Sequence, residues 1–565
     1  MSAPAREAQT VADSPQSSTL SRGPLTALVG LCIAHIALAF RWICEHELPS
    51  GTRDEFFMVA ETFDIAWQLQ NLPLQQLAVH PLLIEKSYYP PLSRLPGVAA
   101  LLGGGDYDAM IMAQWIWIPV LVAGTYWAAR QLLGPWASTA AVSLLLAGPG
   151  VHDTFHRYEP NLGALALSAC ALAAWLHSKR LHERRGALLL GLLLGLGLLS
   201  DRLGVLPLLI APMALSALSS RPRSAGLKGL AWVVLAAITV AGWWYTDFYA
   251  RFAHELIPQL SSGEISALGL DLEDRPPLLL WWTHYLILWP DSQLGLIGGS
   301  LALLGLVAML FQRNQPATRD LLWWLLPGLL LFSLIQKRQP FYTLGLLPPA
   351  CICAGWLLER IAARWASGGR MLAIACTALA SVPVIITSSP QVPDVPPGLR
   401  DWTLNSRSPL PEHWIGERFP MGGPPQDVGL RLEQSIDRLS SAGLANSDLL
   451  LVFSDDGIVN ESALWSFGRI HRGDQQVLGI TLDPQAVMER GSQARALIFV
   501  HDTPGSWPEE RNLIGAHERF FGFAEEYAPL LPLMAKLKDH ASLVEERRLD
   551  VESTLSIWLL KGAPQ

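Results

Sequence analysis

A polytopic α-helical membrane domain followed by a small soluble α/β domain is the fold class this sequence predicts, and three observations predict it. The chain of 565 residues is 50% hydrophobic and only 16% charged, with 22 Trp and a mean hydropathy of +0.28, too apolar for an ordinary soluble protein of its size. Apolar runs of about 20 residues, each enough for one bilayer crossing, are separated by loops that are alternately basic and of mixed charge. After Ser388 the texture changes to the proline-rich SSPQVPDVPPG and then to alternating strand-like and helix-like segments. The net charge of −8, with its basic residues in short inter-span clusters, excludes nucleic-acid binding.

Residues 1–24, rich in Ser, Ala, Pro and Gln, have little to bury and read as a disordered cytoplasmic tail. The first span, 25–44, lacks a small-x-small cleavage signature and reads as an uncleaved anchor, which puts the acidic-aromatic loop 45–107 on the outer side. Further spans are expected near 108–129, 136–152, 161–177, 187–200, 204–219, 229–246, 293–311, 321–335, 341–358 and 371–388, about eleven in all. Cytoplasmic loops are enriched in Lys and Arg, so Arg130, Lys179 to Arg185, Arg221 to Lys228, Arg313 with Arg319, and Arg360 to Arg370 mark the inner face. The opposite loops are HDTFHRYEP at 152–160, Asp201-Arg202, Asp247 to Pro277, and QKRQPFY at 336–342, and the odd span count leaves the C-terminal part outside.

Several features have plain structural readings. Gly191-x3-Gly195 fits close helix packing, since no strand precedes it and no Lys-Ser/Thr follows. WWTHYLILW at 281–289 reads as an interfacial amphipathic helix or aromatic belt, and Gly103-Gly104-Gly105 as a turn. The six cysteines lie in or beside apolar spans without redox or metal spacing and read as packing residues.

Charges at the hydrocarbon boundary are costly unless paired, hydrated or useful. Asp54-Glu55, Lys86, Arg157-Tyr158-Glu159, Asp201-Arg202 and Lys337-Arg338 all fall on one face although far apart in the chain, which points to a shared outward-facing site.

The residues Asp54-Glu55 just after the first span, EKSYYPPL at 85–92, TYWAARQLLGPWASTAAVSLLLAGPG at 125–150, RYEPN at 157–161, GLLLGLGLLSDRLGVLPLL at 191–209 and KRQPFYTLGLLPP at 337–349 carry a resemblance. In order and spacing they resemble the GT-C glycosyltransferases, in the family 39-like branch related to dolichyl-phosphate-mannose protein mannosyltransferases and the bacterial aminoarabinose lipid A transferase, over residues 25–390. The resemblance implies inverting transfer of a sugar from a polyprenyl-phosphate donor to a hydroxyl of a lipid, glycan or protein acceptor. It implies Asp54 as general base, with Glu55 orienting the acceptor or binding a metal. Lys337 and Arg338 match its phosphate-binding position, with Lys86 and Arg202 as further candidates, because a leaving phosphate needs fixed positive charge. Tyr88, Tyr89, Arg157, Glu159 and Tyr342 are the implied substrate contacts.

Two departures stand out. Relatives usually carry an Asp where RYEPN has Glu159, and often Lys-Gly where this chain has Asp201-Arg202. The second places a negative charge near the expected phosphate, for which Arg202 would compensate or donor recognition would differ.

The segment 389–565 is expected to form an α/β domain on the outer, periplasmic side. Strand-like runs at 449–454, 476–482 and 496–502 are followed by a hairpin-like pair at 542–551 and 553–562, with helices near 460–470, 484–490 and 513–537. Its Ser454, Asp455, Asp456, His471, His501, His517 and His540 stand in no nucleophile or metal-ligand pattern, which leaves an acceptor-binding or lid module. The sequence identifies no cofactor with certainty. Magnesium or manganese is compatible with the carboxylates but leaves no linear signature. The expected location is a bacterial inner membrane. A transporter or flippase of lipid-linked sugars, or a noncatalytic binder of them, would use the same charges; the sequence shows no internal repeat of the transporter kind.

Overall fold

The computed structural model describes residues 22–45, 53–71, 90–179, 181–201, 212–215, 218–219, 222–261, 278–313, 315–334, 340–387, 441, 448–453, 476–479, 490–501, 531–548 and 554–560. Among them the helices are α1 (Arg22–Glu45), α2 (Arg53–Asn71), α3 (Leu95–Leu102), α4 (Tyr107–Gln114), α5 (Trp117–Arg130), α6 (Pro135–Leu146), α7 (Pro149–Asp153), α8 (Asn161–His177) and α9 (Arg184–Ser200). They continue with α10 (Arg223–Ser261), α11 (Leu278–Leu288), α12 (Gly295–Phe311), α13 (Pro316–Leu334), α14 (Leu347–Thr387) and α15 (Leu531–Lys538).

Arg22–Cys44, Tyr107–Arg130, Arg223–Thr246 and Phe341–Trp365 are long and apolar enough to cross a membrane. Pro135–Leu146, Asn161–His177, Gly295–Phe311 and Met371–Ile385 are apolar but shorter. The expected span boundaries need revision in four places. The span 136–152 is two helices, because Gly148-Pro149 starts a new one. The expected loop 45–107 contains α2, whose buried Met58, Val59, Thr62, Ile65 and Ala66 recur at helical spacing and so give the helix a core face. The expected loop from Asp247 is helical as far as Ser261. The stretch between the last two spans is helical as well, so 341–358 and 371–388 fall mostly within one run, α14. Of the span 204–219 only 212–215 and 218–219 fall within the described residues, and they are helical.

The two halves of α14 nevertheless meet the same neighbour. The Gly134 amide donates to Glu359 Oε1 (2.7 Å), and a Cβ at Gly355 would stand 2.8 Å from the Ala137 carbonyl. Ala373, Thr377 and Ser381 line a cavity together with Thr139 and Ser143 of α6. A straight helix would hold Glu359 and Ser381 about 33 Å apart, so the run doubles back and flanks α6 with both halves.

One apolar core joins these helices, with Trp175, Trp324, Phe155 and Phe332 fully buried. The glycine pair of α9 serves close packing as expected: a Cβ at Gly195 would stand 2.7 Å from Val240 Cβ of α10. The helix expected at 281–289 forms as α11 over most of that stretch and buries one face, with Tyr285, Leu288 and Trp289 in the core and Trp282 exposed. Gly104 takes φ +84° in the triple-glycine turn.

In the C-terminal segment β1 (Leu449–Phe453), β2 (Gln476–Gly479), β3 (Ala494–His501), β4 (Ala541–Arg548) and β5 (Thr554–Leu560) form one sheet in the order β2-β1-β3-β5-β4. β2, β1 and β3 are parallel, and β5 and β4 complete the sheet antiparallel. Each strand overlaps an expected run, β3 beginning two residues and β4 one residue ahead of it. Leu450, Leu451, Leu497 and Ile498 are buried although successive side chains point to opposite faces, so both faces of the central strands are covered. Of the expected helices, 460–470 lies outside the described residues, as does 484–490 apart from Arg490; of 513–537 the described part is in α15.

Candidate functional site

Segments expected as outer loops meet at one end of the bundle. α2 carries Asp54 and Glu55 in its first turn, where the positive end of the helix dipole favours ionised carboxylates; their side chains lie outside the described residues. Eight residues, about 12 Å, further along α2, Thr62 Oγ1 lies 3.1 Å from the Tyr158 hydroxyl, which itself donates to the Arg94 carbonyl (3.1 Å). One residue before Thr62, Glu61 accepts from Arg94 NH1 at 2.8 Å in a pair whose side chains are 2% and 6% exposed. Gly97 makes this junction sterically open, since a Cβ there would collide with the Tyr158 hydroxyl.

Arg94 follows the 3-10 turn Pro91–Ser93, where the Gln114 amide donates to the Ser93 carbonyl (2.6 Å). Burial raises the Tyr158 phenol well above its usual range and keeps it a neutral donor. Burial also lowers the Arg94 guanidinium, against the opposing pull of Glu61. We expect Tyr158→Phe to destabilise the protein by about 1–2 kcal/mol, the cost of removing a buried bridging hydroxyl, measured as an earlier thermal transition in detergent.

Next to this junction Arg157, a 4%-exposed side chain, is held between two carboxylates: Nε lies 3.0 Å from Asp153 Oδ2 and NH1 3.6 Å from Glu159 Oε1. Glu159 Oε2 accepts from the Asn161 amide (2.6 Å). Burial pushes Asp153 up to about 6 although Arg157 pulls it down. An acid whose folded-state value is raised stabilises the fold most at low pH and loses that contribution as pH rises through about 6. Thermal melts of wild type and Asp153→Asn should therefore diverge between about pH 4 and 6, the wild type losing relative stability as pH rises; parallel curves would show that Asp153 is not the group titrating.

Other segments close on this loop. Ser200 Oγ at the end of α9 donates to the Pro160 carbonyl (3.4 Å), placing Asp201 beside RYEPN, and α9 packs on the 3-10 turn Pro91–Ser93. A second 3-10 turn, Pro340–Leu346, carries the buried Tyr342 and packs on α7 and α8; its Thr343 accepts from the Gln293 amide (2.8 Å). α1 is docked on the same end by Trp42, stacked on His156 at 4.3 Å, and by His35, 5.7 Å from His152.

The described part of the expected site thus comprises Arg157, Tyr158, Glu159, Asp201 and Tyr342, on segments that converge. Lys86, Tyr88, Tyr89, Arg202, Lys337 and Arg338 lie outside the described residues. Sequence reasoning placed Glu61 among the acids of the outer loop without a partner, and did not single out Thr62, Arg94, Asp153, His152 or His156. The available signals were an arginine set among prolines and leucines in PPLSRLP, and the ionisable density of HDTFHRYEP. Among the described residues no three His, Cys, Asp or Glu side chains are arranged to hold a metal ion; Asp54, Glu55 and Glu85 fall outside that statement.

Residues 95–245, which include RYEPN and Asp201-Arg202, match the family profile described as dolichyl-phosphate-mannose-protein mannosyltransferase. No curated protein matches the sequence. Among solved structures, ArnT from Cupriavidus metallidurans is similar in its apo state and bound to undecaprenyl phosphate. The TM-scores are 0.54 and 0.56 at 14% identity, over 94% of this chain and 98% and 97% of theirs. The arabinofuranosyltransferase AftD from Mycobacteria is similar with a TM-score of 0.50 at 14% identity, over 96% of this chain and 40% of its own. At such identities the likeness is one of fold.

Proposed function

We propose that this chain, which has the fold of the GT-C glycosyltransferases and a family 39-like profile over residues 95–245, transfers a sugar from a polyprenyl-phosphate donor to a hydroxyl acceptor with inversion. The observation that carries the reading is the junction of Thr62, Tyr158 and Arg94, which docks the helix bearing Asp54 and Glu55 against the loop bearing Arg157 and Glu159. That docking supports a reading in which the helix bearing the candidate carboxylates and the loop bearing the candidate substrate contacts serve a single reaction centre.

In this reading Asp54 takes the proton of the acceptor hydroxyl, and Glu55 orients that hydroxyl or shares a magnesium or manganese ion. Lys337 and Arg338, with Lys86 and Arg202, meet the charge that develops on the leaving polyprenyl phosphate. Tyr88, Tyr89 and Tyr342 line the donor or acceptor. Arg157 is already bracketed by Asp153 and Glu159, so it is suited to fixing the loop and presenting Glu159. The undecaprenyl phosphate bound to ArnT supports the donor class. The same reading has the chain in a bacterial inner membrane, with the site and the segment 389–565 on the periplasmic side and the latter as acceptor-binding or lid module.

The test is release of polyprenyl phosphate from a panel of polyprenyl-phosphate sugars by the purified full chain in detergent, beside translocation of the same donors in vesicles. Release with a defined sugar transferred supports the enzyme and names the sugar. Translocation without release would replace it with the flippase reading, and binding without either with a noncatalytic binder.

A further inference from the structure

α11 and α12 are joined by one turn of π-helix, Trp289–Gln293, closed by the Leu294 amide donating to the Trp289 carbonyl (2.9 Å). Such wide turns are rare and recur at functional sites. The surrounding sequence is built around this one. Pro290 brings no amide to an α-helical ladder, Gly295 takes φ +70° directly after the turn, and a Cβ at Gly299 would collide with Pro290. The turn places three successive polar side chains, Asp291, Ser292 and Gln293, in the interior at 5%, 2% and 0% exposure.

Gln293 reaches two segments of the candidate site. Its carbonyl lies against the start of α7, where a Cβ at Gly148 would stand 2.7 Å from it, and α7 runs from there to Asp153 beside Arg157. Its side-chain amide donates to Thr343 Oγ1 at 2.8 Å, in the 3-10 turn Pro340–Leu346. An α-helix turns about 100° per residue, so the extra residue of the π-turn sets the direction in which Gln293 leaves the helix. The 3-10 turn carries Tyr342, begins two residues after Arg338 in the sequence, and packs on α7 and α8. One residue thus ties the segment that follows the candidate phosphate cations to the helix that leads into the carboxylate loop.

We infer that Gln293 is a positioning residue for the donor-phosphate end of the site, acting through Thr343 to hold the turn that carries Tyr342 and follows Lys337-Arg338 in the sequence. A hydrogen bond suits this task, because it fixes direction as well as distance, and both partners are fully buried, where water does not compete for them. Gln293 sets where the turn stands and does not itself contact substrate. The inference rests on the reading of the chain as a transferase that uses a polyprenyl-phosphate donor.

The experiment measures binding of undecaprenyl phosphate to the purified full chain in detergent, with a thermal melt of each protein as the check on folding. Thr343→Val keeps the shape of the side chain and loses the acceptor, whereas Thr343→Ser keeps the acceptor and loses the methyl. Positioning through the hydrogen bond should weaken binding about tenfold in Thr343→Val and leave Thr343→Ser within about twofold of wild type. A packing role would give the reverse order and overturn the inference. Gln293→Met, which fills a similar volume without a donor, should match Thr343→Val, and the double variant should lose no more than either single, since all three remove one bond. Losses that multiply in the double variant would mean two independent contributions and overturn it as well. If Thr343→Val does not fold, Gln293→Met set against Thr343→Ser makes the same comparison. Where sugar release is followed too, the loss should fall on the donor KM, with kcat within a few-fold of wild type. Wild-type affinity in every variant would overturn this inference and leave the transferase reading standing, whereas a wild type that binds no undecaprenyl phosphate would sink both.

Discussion

Asp54→Asn should lower turnover of a polyprenyl-phosphate sugar by about two or more orders of magnitude, the usual contribution of a positioned general base. The amide has the shape of the carboxylate but cannot take up the acceptor proton. Asp54 lies in the first turn of α2. An interaction made only as the proton moves should appear in kcat, with the donor KM little changed. The loss of negative charge at a helix start costs about 0.3–1 kcal/mol of stability, too little to mimic the effect when equal amounts of folded protein are compared. Retention of turnover within a few-fold of wild type would remove Asp54 from the reaction and leave Glu55 as the next carboxylate to substitute.

The membrane class, the segregation of charge and the five strands were legible because each depends on patterns that run along the chain. β1 to β5 announce themselves as short apolar runs, and the basic loops 130–134 and 359–364 declare a common face that the Gly134 to Glu359 hydrogen bond makes physical. Helix ends were less legible. Hydropathy sees α6 and α7 as one run because Gly148 and Pro149 are hardly less apolar than their neighbours, and only the missing amide of proline breaks the helix there. α2 was read as loop because its acids mask a periodicity that burial of Met58, Thr62, Ile65 and Ala66 makes plain. The site was half legible for a different reason. Residues that face a substrate stand out as charges at a membrane boundary, whereas Glu61 and Arg94 are 33 positions apart and identify one another only once folded.

That pair makes the second prediction. Arg94→Leu leaves Glu61 buried without its closest cation, and loss of one partner of a buried ion pair costs about 3–5 kcal/mol, a large part of a typical protein's net stability. The expected result is a strongly reduced yield of folded protein and an early thermal transition. Removing both charges, as Glu61→Gln with Arg94→Leu, should recover part of the loss, because much of the single-variant penalty is the stranded carboxylate and not the missing attraction. The recovered protein should still turn over more slowly than wild type. Glu61 is about 10 Å along α2 from Asp54, and Thr62 and Tyr158 would then hold the helix with the ion pair gone. Full activity in the double variant would mean that the Thr62 to Tyr158 contact alone fixes α2, and additive losses in the double-mutant cycle would mean that Glu61 and Arg94 are not coupled.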